Sequence, residues 1–349
     1  MRSRLATSTL LISGVSIAAL TLAGCAPAAD PSGSDDARLQ IVTSTDVYGD
    51  IAAVVAGDLA DVTPIISGAA QDPHSYEATA RDQLALSRAD VVIENGGGYD
   101  PFIDTMLSAS GSDDVVVLNA SELSGLIDGD EHADEDHADD EHAEDDHDHA
   151  DDDHADDDHG DDDHTDDDHD GHAHIEGFNE HVWYSFGAVD ELAHELAHEL
   201  GELDEANAET FESNYDDFAA ELETLETRAT DAQAGVDGAG AAITEPVPVY
   251  LLEAMGFVNR TPDAFSEAIE EGTDVSPAVL SDTLGLFDDG SVAILAYNDQ
   301  TAGPETEQVR DAAEDAGVPV VSLTETLPDG ESYLTWMSSN IDEISAAID

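Results

Sequence analysis

The chain has 349 residues, of which 83 are acidic and only 8 basic, all arginine, for a formal net charge of −75. Such a surface repels phosphate backbones, which excludes nucleic acid as a partner, and it raises the local concentration of cations. The single cysteine, Cys25, excludes a disulfide within the chain.

At the N-terminus, Arg2 and Arg4 precede an apolar, small-residue run from Leu10 to Ala23. The run is too short for a comfortable transmembrane helix and has the charged-then-apolar layout of an export signal. It ends in Leu22-Ala23-Gly24-Cys25, which looks like a bacterial lipobox, so residues 1–24 are expected to be removed and Cys25 acylated. Residues 25–37, rich in Ala, Pro, Ser, Gly and Asp, read as a flexible tether.

Strand-like and helix-like runs then alternate. Leu39 to Thr43 reads as a strand, Tyr48 to Leu59 as a helix, and Val62 to Ile66 as a second strand. A polar loop, Gln71 to Glu77, leads into a helix over Ala80 to Arg88, and Asp90 to Glu94 and Val115 to Leu118 are further short strands. This alternation predicts an α/β fold, a parallel sheet with helices on its faces.

Residues 128–174 break the pattern. They hold 26 acidic residues and eleven histidines, at 132, 137, 142, 147, 149, 154, 159, 164, 169, 172 and 174, with no large apolar residue. The five-residue period shared by most of these histidines fits neither a helix face nor a strand face. The segment reads as a disordered insertion and a candidate low-affinity metal loop formed by His132, His137, His142, His147, His149, His154, His159, His164, His169, His172 and His174.

From Asp204 to Ala229 a stripe of Phe211, Tyr215, Phe218, Leu222, Leu225 and Ala229 at spacings of 4, 3, 4, 3 and 4 predicts one long helix. Asp204 is its expected N-cap, and the glycines at 235, 238 and 240 are expected to end it. At about 1.5 Å per residue it spans roughly 40 Å, enough to reach from one lobe to another. Strands over Ala241 to Ile243, Val292 to Ala296 and Val318 to Leu323 follow, with helices over Glu305 to Ala316 and Tyr333 to Ile348.

Four residues stand out as metal ligands. His74 lies in the loop after the second strand, His181 just past the insertion, Glu245 after strand Ala241–Ile243, and Glu325 after strand Val318–Leu323. At least three sit beyond the carboxyl end of a strand, where open α/β sheets place their ligand sites. Two imidazoles and two carboxylates can close a four-coordinate cage around a divalent cation, although a single loop histidine or glutamate is usually only solvated.

Asp72-Pro73-His74-Ser75-Tyr76-Glu77 and Glu180-His181-Val182-Trp183 resemble the two N-lobe ligand motifs of the cluster A-I (zinc- and manganese-type) ABC transporter solute-binding proteins. The Glu94-Asn95-Gly96-Gly97-Gly98-Tyr99 stretch, the histidine-rich loop, the long helix and the run from Gly317 through Glu325 to Trp336 resemble that family too. The resemblance covers nearly the whole chain after the tether. It implies two Rossmann-like lobes, residues 38–203 and 235–349, joined by a rigid helix over residues 204–234, with metal in the cleft between them.

Carried over by position, His74 and His181 are the N-lobe ligands. Glu245 falls where many zinc-type members have histidine and manganese-type members glutamate, and Glu325 matches an acidic ligand that is usually aspartate. The family implies a monomeric, extracytoplasmic, non-enzymatic receptor, held to membrane lipid through Cys25. It would serve an ABC permease and its cytoplasmic ATPase. Carboxylate ligands suit Mn2+, whereas the histidine loop suits Zn2+, and zinc is placed first.

A rival from another class is His194-Glu195-Leu196-Ala197-His198, which matches the His-Glu-x-x-His motif of zinc proteases. Each histidine lies about 200° around the helix from a leucine of the apolar stripe, Leu192 or Leu196, so both are expected to face solvent rather than a cleft. An extracellular metal buffer or adhesin is a third reading, resting on the histidine tract alone.

Overall fold

The computed structural model describes residues 38–348 apart from 69–72, 74–75, 112–113, 128–174, 176, 237 and 289. Cys25, His74 and the tract histidines therefore lie outside the described residues.

The first half alternates β1 (Leu39–Thr45), α1 (Asp46–Ala56), β2 (Ala60–Ile66), α2 (Ala80–Leu86), β3 (Val91–Glu94), α3 (Pro101–Ser110), β4 (Val116–Asn119) and a short α4 (Ala120–Leu123). Two long helices follow, α5 (Phe186–Leu203) and α6 (Ala208–Val236). The second half runs β5 (Gly240–Ile243), α7 (Val249–Ala254), β6 (Val258–Asn259), α8 (Asp263–Glu270), α9 (Pro277–Asp288), β7 (Ile294–Tyr297), α10 (Pro304–Ala316), β8 (Val320–Ser322) and α11 (Tyr333–Ile348). Each half builds one four-stranded parallel sheet, in the orders β2-β1-β3-β4 and β6-β5-β7-β8.

Strands buried on both faces read as unbroken apolar runs, and these do. Ile41, Val91 and Ile93 join the main core, while Val42 and Val92 turn to the opposite face, under Phe102, Ile103 and Met106 of α3. In the second sheet Ala241, Ile243 and Ile294 join the same main core, and Ala242, Leu295 and Tyr297 pack with Phe265, Phe287 and Val309. One continuous core thus runs through both halves.

Helix α6 holds that core together. It packs on α1 and α5 of the first half and on α7 and α11 of the second. Its stripe of Phe211, Phe218, Leu222, Leu225 and Ala229 is buried, and each phenylalanine contributes about 2–3 kcal/mol by leaving water. Among the described residues no helix is long and apolar enough to cross a membrane.

Two expectations about α6 are corrected. Asp204 does not cap it: its N–H closes α5 on the Leu200 carbonyl, and its carboxylate accepts from the Asn207 amide at 2.6 Å in the intervening turn. Gly235 lies inside the helix, and the left-handed residue past its end is Gly238, with φ +74°. Apolar periodicity locates the buried stripe but not the turns beyond it. Helices α3, α4, α7, α8 and α9 and the two-residue β6 are short or weakly periodic, and apolar spacing does not announce them.

Candidate metal centre

His181 ends the loop that enters the short helical turn Val182–Tyr184, after which the Ser185 hydroxyl accepts from the Ala188 N–H to start α5. The imidazole is fully buried, edge-on to Trp183 and Tyr99 with ring centres 5.1 and 5.7 Å away. Its Nδ1 lies 2.8 Å from Asn179 Oδ1, and the Asn179 amide nitrogen donates to the Pro246 carbonyl. That second bond turns the oxygen of Asn179 toward the ring. An oxygen so placed accepts from Nδ1–H and fixes the ring's orientation, as outer partners do for ligating histidines.

The carboxylates of its neighbour Glu180 and of the distant Glu270 gather at this ring. Ligand atoms of Glu180, His181 and Glu270 all lie within 4.8 Å of one another, and Glu270 Oε1 is 3.6 Å from His181 Nδ1. Glu270 closes α8. Burial pushes its carboxyl up to about 10, helped by the negative charges of Glu180, Glu245, Glu325 and Glu271.

Glu245 and Glu325 stand two and three residues beyond β5 and β8 and are buried. The side-chain amide of Asn298, just past β7, donates to both, at 2.5 Å to Glu245 and 2.8 Å to Glu325. Thr301 also donates to Glu245 at 2.6 Å, and the Tyr99 hydroxyl donates to Glu325 at 3.2 Å. Burial, and next the Glu325 carboxylate, hold the Tyr99 phenol well above its ordinary range, so it remains a donor.

The two halves meet around this site. Tyr250 donates to the Asn179 carbonyl, Tyr184 to that of Thr324, and Tyr333 to that of Trp183. The glycine-rich stretch after β3 supplies part of the wall. Asp100 accepts from the N–H groups of Asn95 and Gly96, and the Asn95 amide donates to the Glu180 carbonyl. Gly97 has φ +66°, and a Cβ there would lie 2.7 Å from the Phe178 ring, so only glycine lets Phe178 seat beside the site.

A cavity of about 480 Å³ opens beside Glu180 and Glu270 and is walled by Asn179, Phe178, Asp263 and Glu267, with no basic residue among the described residues of its lining. Two carboxylates at one imidazole, with Glu245 and Glu325 near enough to act on Glu270, concentrate acidic groups about this space. The arrangement suits a bound cation.

Of the residues singled out from sequence, the structure gathers His181, Glu245 and Glu325 into this cleft, while His74 lies outside the described residues. It adds Glu180, Glu270 and Asn298. Asn298 was detectable by the strand-end rule that flagged Glu245. Glu180 directly precedes His181 in the Glu180-His181-Val182-Trp183 motif, and Glu270 carries no local signal at all. His194 and His198 are exposed on α5 and border a different cavity, against a protease centre in the cleft.

The sequence profile of the family described as zinc-uptake complex component A, periplasmic, matches residues 41–347. The manganese ABC transporter substrate-binding lipoprotein PsaA of Streptococcus anginosus is 24% identical over 97% of this chain and 98% of its own. The iron ABC transporter substrate-binding lipoprotein MtsA of Streptococcus pyogenes serotype M1 is 23% identical over 97% of each chain. Among solved structures, the periplasmic zinc-binding protein TroA of Treponema pallidum superposes with a TM-score of 0.65 over 89% of this chain and 99% of its own, at 16% identity. That last likeness is one of fold.

Proposed function

Because the chain belongs to the zinc-uptake complex component A family, metal-binding substrate-binding proteins of ABC transporters and not enzymes, we propose that it captures one divalent first-row transition ion in this cleft and delivers it to an importer. The observation that carries the reading is the cluster of Glu180 and Glu270 at the His181 imidazole, with Glu245 and Glu325 close enough to raise the Glu270 carboxyl. His181 would ligate through Nε2, His74 would supply the second imidazole, and the carboxylates the remaining positions. Asn298 and Tyr99 would hold Glu245 and Glu325 in place, as outer partners orient metal ligands.

On this reading residues 38–203 and 235–349 act as the two lobes and the long helix as a strut between them. Cys25 carries the lipid that keeps the protein on the outer face of the membrane, beside the permease and its ATPase. The carboxylate-rich donor set moves the preference from zinc, which the sequence placed first, toward manganese(II), since hard oxygen ligands suit that ion. Zinc is the second reading, favoured by the eleven tract histidines.

The test is metal analysis of protein purified without added metal, followed by manganese and zinc competition. One tightly held ion per protein, recovered mainly as manganese from cells supplied with both metals, is the expected result. Many weak ions and no tight one would point instead to an extracellular buffer and overturn the receptor reading. A single tight zinc that manganese never displaces would restore the zinc assignment.

A further inference from the structure

Outside the cleft, the described residues contain two further histidines, His194 and His198, one helical turn apart on α5. Leu192, Leu196 and Leu200 are buried in the core, leaving both imidazoles on the exposed face. Glu202 continues that face, its Oε1 lying 3.7 Å from His198 Nε2. Across from them α6 brings Glu212 and Tyr215. The Tyr215 ring lies 5.1 Å from that of His194, and its hydroxyl is drawn aside to Asp190. His194, His198, Glu202, Glu212 and Tyr215 line one cavity of about 370 Å³, with no arginine among the described residues of its wall.

Side chains four apart on a helix have Cβ atoms about 5–6 Å apart, a separation that lets two imidazoles grip one ion. Glu202 on the same helix lies 3.7 Å from His198 and Glu212 of the facing helix lines the same cavity, so rotation of these exposed side chains would bring four donors onto one ion. We propose that His194 and His198, together with Glu202 and Glu212, form a second, surface site for an imidazole-preferring ion such as zinc, nickel or copper(II). The site is separate from the cleft and makes no use of Glu195 as a base. Manganese, which prefers oxygen ligands, is a poor guest for it. At His198 and Glu202 the side chains are more than half exposed, so they can swing onto the ion without disturbing the core. Exposure to water also makes the site weaker than the cleft.

Histidine carbethoxylation of the full mature chain, read peptide by peptide by mass spectrometry, tests this locally and is blind to ions held by the tract. With zinc at about ten times the site's dissociation constant, labelling of His194 and His198 should slow together by about tenfold. In His198→Ala the protection of His194 should vanish, and in Glu202→Gln with Glu212→Gln it should need severalfold more zinc. Protection of His194 that survives His198→Ala, or that manganese reproduces, would overturn the chelate. So would zinc protecting the tract histidines while leaving these two unprotected. All these changes lie on the surface, and metal binding in the cleft serves as the internal control for folding.

Discussion

Glu270→Gln keeps the shape of the side chain and removes its titratable proton. In the folded apoprotein burial and four neighbouring glutamates hold the Glu270 carboxyl up to about 10, whereas the unfolded chain releases that proton near the ordinary value of 4.5. An acid whose folded pKa is raised contributes its full stability below the unfolded value and loses it as pH rises toward the folded one. The loss is about 1.4 kcal/mol per pH unit, on the order of 3 kcal/mol by pH 7. Glutamine carries no such penalty, so the metal-free variant should be more stable than wild type at neutral pH, by roughly 5 °C in Tm for a chain of this size. The advantage should shrink to nothing near pH 4.5 and grow toward alkaline pH. Metal binding should move the other way, weakening by about tenfold or more, because the variant cannot supply that carboxylate. Thermal melts in chelator from about pH 5 to about pH 9, with metal titration of both proteins, provide the assay. Equal pH slopes for the two apoproteins would refute the argument that Glu270 is buried as a neutral acid.

His181→Ala and His74→Ala should each weaken tight binding by about a hundredfold or more while leaving the far-UV circular dichroism unchanged, and calorimetry that finds full affinity in both would remove them from the ligand set. Asn298→Ala removes the donor shared by Glu245 and Glu325, so affinity should drop about ten- to a hundredfold in a competition assay with a metal indicator. Deleting residues 130–171 should abolish weak multi-ion zinc binding, leaving one tight ion and the single weak one at His194 and His198. Loss of the tight ion would mean that the tract itself supplies ligands.

Part of this protein is written locally. Apolar runs such as Val91-Val92-Ile93 announce strands covered on both faces, and they lie in the middle of a parallel sheet. The stripe through Phe211, Phe218 and Leu225 announces α6, because one helix face repeats every three to four residues. His181, Glu245 and Glu325 were legible through a motif or a position just past a strand. Periodicity also placed His194 and His198 on the solvent side of α5.

The composition of the cleft was decided elsewhere. Glu270 meets His181 across about ninety residues of chain, and Asn298 joins carboxylates that follow two different strands. No spacing within a segment records which loops two sheets will bring together. The start of α6 at Ala208 rather than Asp204 was likewise set by the turn that α5 and α6 need in order to pack on each other. Local sequence encodes which face of an element is apolar. Which carboxylates share one buried space, and hence how far their protons are held, depends on long-range packing, since burial and charge proximity arise only when distant segments meet.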